Sequence, residues 1–150
     1  MQTVISNELA FGVPGTHANG QPFYADSYVT PTGDTDSAIT FGTLVALVSG
    51  KIVPATGTAA LGLAVAPNEH VRWVLPDGAR SLVADKGSTI AVAKRGAWYV
   101  AVPTADKANW VAGAKLAIAS GAFVVSGTGT AGEVIEVSDD KTAAIVRLYL

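Results

Sequence analysis

The chain has 150 residues, no cysteine and a net charge of -2, which excludes disulfides, zinc-thiolate sites and cysteine nucleophiles and leaves no basic footprint for nucleic acid. Hydrophobic residues make up 49% and charged residues only 15%, fewer charges than a free monomer usually spreads over its surface, so part of that surface is expected to meet other chains. No apolar run approaches the roughly 18 residues of a membrane span, so one domain with no membrane partner is expected.

The first six residues, Met1-Gln2-Thr3-Val4-Ile5-Ser6, lack the charged and apolar regions of a secretory signal, so synthesis in a cytoplasm is expected. Residues 1–38 are interrupted by Gly12, Pro14, Gly15, Asn19, Gly20, Pro22, Pro31, Gly33 and Asp34, and read as an extended N-terminal arm. Its apolar residues are spaced to lay side chains one at a time onto another surface. Phe11, Phe23, Tyr24 and Tyr28 are the candidate contacts.

From residue 39 onward short apolar runs alternate with turn signals, and strands are predicted over 41–48, 51–54, 61–66, 71–75, 80–84, 89–94, 97–102, 115–119, 122–126, 133–137 and 144–150. Turns are placed at Ser49-Gly50, Pro76-Asp77-Gly78, Lys86-Gly87, Arg95-Gly96 and Ser120-Gly121. The one predicted helix covers 104–112, with Thr104 as its cap and Gly113 at its end. This spacing implies an all-β domain over 39–150, a two-sheet sandwich, jelly roll or barrel.

One short pattern is stated twice. Gly42, Ala46, Ser49, Gly50 and Val53 recur 71 positions later as Gly113, Ala117, Ser120, Gly121 and Val124. A one-residue insertion then brings Thr56-Gly57-Thr58-Ala59 onto Thr128-Gly129-Thr130-Ala131. Each copy reads as strand, Ser-Gly turn, strand and Gly/Thr loop, so the domain is expected to be built from two related hairpin halves.

Catalytic chemistry is thinly represented. Residues 127–132 match G-x-G-x-x-G, but Glu133-Val134-Ile135-Glu136-Val137 alternates like a strand where a dinucleotide site needs a helix, so the segment reads as a hairpin loop. His17 and His70 have no Gly-x-Ser-x-Gly elbow to serve. Asp34-Thr35-Asp36, with Asp26 nearby, lacks the full calcium loop and reads as a solvated turn. No cofactor and no metal is expected. Of Trp73, Trp98 and Trp110, Trp98 lies in the apolar strand 97–102 and is read as buried against another sheet or a subunit.

Several stretches in order carry a family resemblance: Phe41-Gly42-Thr43-Leu44-Val45, Gly50-Lys51-Ile52-Val53-Pro54-Ala55-Thr56, Leu61-Gly62-Leu63-Ala64-Val65-Ala66, the run Ile90 to Val100, Val111-Ala112-Gly113-Ala114-Lys115-Leu116, the Gly132 to Val137 strand, and the terminal Val146-Arg147-Leu148-Tyr149-Leu150. Over residues 39–150 the chain resembles the capsid decoration, or cement, proteins of tailed bacteriophages. The resemblance implies a β-sandwich or jelly-roll-like domain on the outer capsid surface, with no catalytic activity. It also implies binding across adjacent major capsid protein subunits and self-association as dimers or trimers. The competing expectations are a carbohydrate-binding β-module, which needs an exposed Trp73 or Trp110, and a small hydrolase, which needs His17 or His70 in a pocket.

Overall fold

The computed structural model describes residues 14–18, 24–31, 38–65, 83–84 and 86–150. The chain is all-β: strands β1 (Tyr24–Val29), β2 (Leu44–Val48), β3 (Lys51–Pro54), β4 (Gly62–Val65), β5 (Thr89–Ala101), β6 (Lys115–Ala119), β7 (Ala122–Val125), β8 (Gly132–Val137) and β9 (Ala143–Tyr149) join one mixed sheet in the order β1-β3-β2-β4-β5-β9-β8-β6-β7. β1 also pairs with β5, so β1, β3, β2, β4 and β5 form a closed circuit. The predicted strand over 71–75 and most of that over 80–84 lie outside the described residues; Val83 forms a bridge with Thr40.

Three predictions are corrected. Arg95-Gly96 is not a turn: β5 runs straight through it, because Arg95 and Gly96 are held by Tyr149 and Leu148 of β9, and Gly96 absorbs the irregularity at φ 108. The segment after Pro103 is a 3₁₀ helix over Thr104–Asn109, shorter than the predicted helix, and no side chain caps it. Finally, Tyr24–Val29 of the segment read as an arm is a sheet strand. Tyr24 to Val29 pair along β5 from Arg95 to Thr89, and residues 15–18 exchange backbone hydrogen bonds with Ala97 and Tyr99. Gly15 and Gly42 lie back to back there. A Cβ on Gly15 would stand 2.6 Å from the Gly42 nitrogen, and both take a positive φ, 88 and 86.

The two hairpins share strand register and turn geometry. Val45, Ala46, Leu47 and Val48 pair with Pro54, Val53, Ile52 and Lys51, and Leu116, Ala117, Ile118 and Ala119 pair with Val125, Val124, Phe123 and Ala122 in the same register. The turn residues agree as well: Ser49 and Ser120 have φ 50 and 49, Gly50 and Gly121 φ 77 and 74, the positive values a two-residue hairpin demands. The correspondence then slips. Leu61 donates to the Val45 carbonyl as Ala131 donates to that of Leu116, so the loop 126–131 is one residue shorter than 55–61. The two Thr-Gly-Thr-Ala stretches are therefore out of structural register.

The likeness continues outward. Thr30 donates to Ser88 at 2.9 Å as Val102 donates to Thr142 at 3.0 Å, each just before a proline, Pro31 or Pro103. β1 thus stands to the first half of β5 as the second half of β5 stands to β9. One five-strand unit occurs twice, and the long strand β5 closes the first and opens the second.

Packing explains where the copies diverge in sequence. The interior of the first unit is a cluster of Ile39, Val45, Ile52, Ala64, Ala84, Ile90 and Val92. The second unit's corresponding residues, including Trp110, Leu116, Phe123, Val134, Ala144 and Val146, belong to a larger cluster that also takes Leu44, Leu63 and Ala93 from the opposite face of the first unit. The first unit is thus buried on both faces. That is why all four residues of β4 are buried and why its sequence shows no polar alternation. Leu44, Leu63 and Ala93 form a cross-strand row, and the same row in the second unit is Lys115, Glu133 and Arg147. That outer face meets water, and its strands alternate accordingly.

Candidate functional site

On β1, Tyr24, Asp26 and Tyr28 alternate onto one face beside Lys94 of β5. Tyr24 is 53% exposed and its hydroxyl donates to both Asp26 carboxylate oxygens at 3.1 Å. That hydrogen bond, with the Asp26 charge behind it, raises the phenol above its ordinary pKa. Lys94 reaches Asp26 at 3.5 Å. Desolvation works against the Lys94 ammonium, but Tyr28 and Asp26 together outweigh it and raise its pKa. Tyr28 is half-buried and packs against the first unit's core.

Trp98 sits elsewhere. It is 3% exposed, its indole N–H donates to the Arg95 carbonyl at 3.1 Å, and the His17 ring meets it edge-on at 4.9 Å. This indole is consumed by the chain's own core. Phe11, Phe23, Asp34, Asp36, Glu69, His70, Trp73, Asp77 and Asp85 lie outside the described residues. Trp110 is fully buried, so it offers no platform for a sugar. Its indole N–H closes no hydrogen bond, though it lies near enough to Asp106 to favour the charged carboxylate.

Sequence reasoning missed two surfaces. Val29, Lys51 and Val48 stand side by side on β1, β3 and β2 at the tip of the first hairpin; Val29 and Val48 are 41% and 53% exposed, and Leu47 beside them is 48% exposed. The signal was present, since two apolar residues directly precede a Ser-Gly turn, but it reads equally as the end of a buried strand. The second surface is the row Lys115, Glu133 and Arg147. Lys115 meets Glu133 at 2.5 Å, and Tyr149 approaches the same carboxylate at 3.5 Å. The Lys115 hydrogen bond and charge lower the Glu133 pKa, and Glu133 raises that of Lys115.

Between the units lies an open depression of ≈ 320 Å³, lined by residues including Thr58, Ala60, Ile118, Thr130 and Tyr149. It gathers no convergent ionisable groups. Residues 127–131 lie in the loop between β7 and β8, and Gly132 opens the strand that follows as expected. Among the described residues no group of three or more His, Asp or Glu side chains is placed to hold a metal, and no helix is long and apolar enough to cross a membrane.

A family model described as structural cement protein, of phage, matches the chain over residues 1–150. The chain belongs to the phage structural cement protein family. No curated protein matches this cement protein. Membership extends the resemblance beyond residues 39–150 to the N-terminal segment. The cement protein's described surface carries exposed apolar side chains and paired charges suited to contact, and its family role is structural.

Proposed function

We propose that this cement protein binds the outer surface of an assembled phage capsid, bridges adjacent major capsid protein subunits and catalyses no reaction. The match to the cement family along the whole chain carries this reading. A protein that binds the assembled shell and not its free subunits stabilises the shell by mass action. Copies repeated over a symmetric lattice add modest contacts through avidity, so no single deep pocket is required. It is made in the bacterial host cytoplasm and ends on the virion, self-associated as a dimer or trimer.

Tyr24 and Tyr28, with Phe11 and Phe23 of the N-terminal segment, supply contacts to capsid or neighbour. Trp98 leaves the set because the chain's own fold buries it. Removing all of residues 1–38 is the wrong test, since it strips β1 from β5 and opens the first unit. Deletion of residues 1–13 and the exposed Tyr24→Ala replacement both keep every residue of the described strands in the chain. Mixed with capsids lacking this protein and pelleted, the deletion and Tyr24→Ala variants should co-sediment less than wild type. Undiminished co-sedimentation of both removes this surface from the account, and failure of wild-type protein to pellet with capsids removes the function itself.

A further inference from the structure

The duplication leaves one contact used and its counterpart open. At the tip of the second hairpin Gly121 donates its N–H to the Gly57 carbonyl at 2.9 Å, in the loop after β3. The approach is so close that a Cβ on Gly121 would fall 1.8 Å from the Ala55 oxygen. Ile118, two residues before Ser120 in that hairpin, is buried, and Ala55 shares its cluster. The tip of the second unit is therefore seated on the loop of the first.

The first unit carries the same tip. Ser49 and Gly50 match Ser120 and Gly121 within a few degrees in φ, yet a Cβ on Gly50 would meet nothing within 4 Å among the described residues. Leu47 occupies the position of Ile118 but is 48% exposed, followed by Val48 at 53%. The second unit likewise carries the loop. Ala55 donates to Leu44 as Ser126 donates to Lys115, which makes 126–128 the counterpart of 55–57, and Gly127 and Thr128 are exposed.

We infer that the Ser49-Gly50 tip of one copy docks on the Ser126-Gly127-Thr128 loop of a second copy, repeating between molecules the joint that holds the two units together within one. The occupant follows from the chain itself, which shows what a tip of this backbone shape binds. Apolar Leu47 and Val48 remain about half exposed, and tip and loop sit on different units, so the contact either repeats reciprocally about a two-fold axis or runs head-to-tail and closes through a ring. The charged row Lys115, Glu133 and Arg147 replaces the apolar row of the internal joint, so the wider face stays in water. The contact is confined to tip and loop, holds at high micromolar concentration in solution, and gains further from repetition on a lattice. This inference rests on the self-association within the proposed cementing function.

The absence of cysteine makes the test direct. Ser49→Cys and Ser126→Cys variants are prepared separately, oxidised alone and as an equimolar mixture, and run on a non-reducing gel. The mixture should give a covalent dimer several-fold above either variant alone, and the double variant a ladder or a closed ring. Equal yields in the mixture and the single variants overturn the inference. In sedimentation velocity at high micromolar concentration, Val48→Asp should shift the association to monomer with its circular dichroism unchanged; association that survives Val48→Asp, or wild-type protein that stays monomeric, also overturns it. Capsid co-sedimentation of the same wild-type sample reports on the cementing function separately.

Discussion

Gly121 and Gly50 hold the same place in the same hairpin turn, and replacing each with alanine should have unequal consequences. Both take a positive φ, 74 and 77, where an L-residue costs about 1–2 kcal/mol. For Gly50→Ala that is the whole effect, because the new methyl enters open space. At Gly121 the added Cβ would lie 1.8 Å from the Ala55 oxygen and 2.4 Å from its carbonyl carbon, both backbone atoms that cannot swing aside. The tip must lift, at about 1–3 kcal/mol for overpacking and about 0.5–1.5 kcal/mol for the lost bond to Gly57. The expected gap between the two variants is therefore roughly 2–4 kcal/mol, or about 4–16 °C in melting temperature for a chain of this size. Urea denaturation followed by circular dichroism measures it, with the midpoints compared at a common slope. Equal destabilisation by the two replacements would refute the seating of the second tip on the first unit.

Three further outcomes follow from the packing and electrostatics. Trp110→Ala, which removes the largest fully buried side chain among the described residues, should cost about 3–5 kcal/mol in the same denaturation assay. Thr30→Val should cost about 1 kcal/mol or less, because the Thr30 N–H still reaches Ser88 and valine already fills the matching position 102; a loss several times larger would argue against the equivalence. Asp140 accepts from Ser138 and Thr142, and Asp106 from Asn109 and Val125, and these bonds lower both carboxyls below the ordinary 3.8. A depressed folded pKa contributes stability that is full above the unfolded value and is lost as the pH falls through the folded one. Melting temperatures of wild type and an Asp106→Asn, Asp140→Asn variant should therefore converge as the pH drops below 3.8, while the wild type is the more stable at neutral pH; a constant difference across that range would exclude the linkage.

Strand positions were legible wherever local pattern and tertiary neighbours agree. β3 and β6 start and stop where the sequence places them, because a Ser-Gly pair with positive φ ends each hairpin whatever surrounds it. β1 was not legible. Its Tyr-Ala-Asp-Ser-Tyr-Val carries polar residues on both faces, and pairing with β5, joined at Val29 by β3, makes it a strand. Arg95-Gly96 failed for the opposite reason: a valid turn signal is overridden when both residues are already paired to β9. Of the five expected contact residues the sequence identified their aromatic character, but exposure separates Tyr24 from Trp98, and exposure belongs to packing.

The amino-acid pattern alone determined an all-β chain with repeated hairpins, because alternation, β-branched runs and glycine turns act over a few residues. It also excluded disulfides, by composition. Which copy of the repeat is buried on both faces was decided only in three dimensions. Leu44, Leu63 and Ala93 scatter through the sequence as ordinary apolar residues, as Lys115, Glu133 and Arg147 do as ordinary charges; register across three strands turns one set into an internal joint and the other into a solvated face. Local preference sets the strands, whereas the partner that covers each face depends on contacts made dozens of residues away.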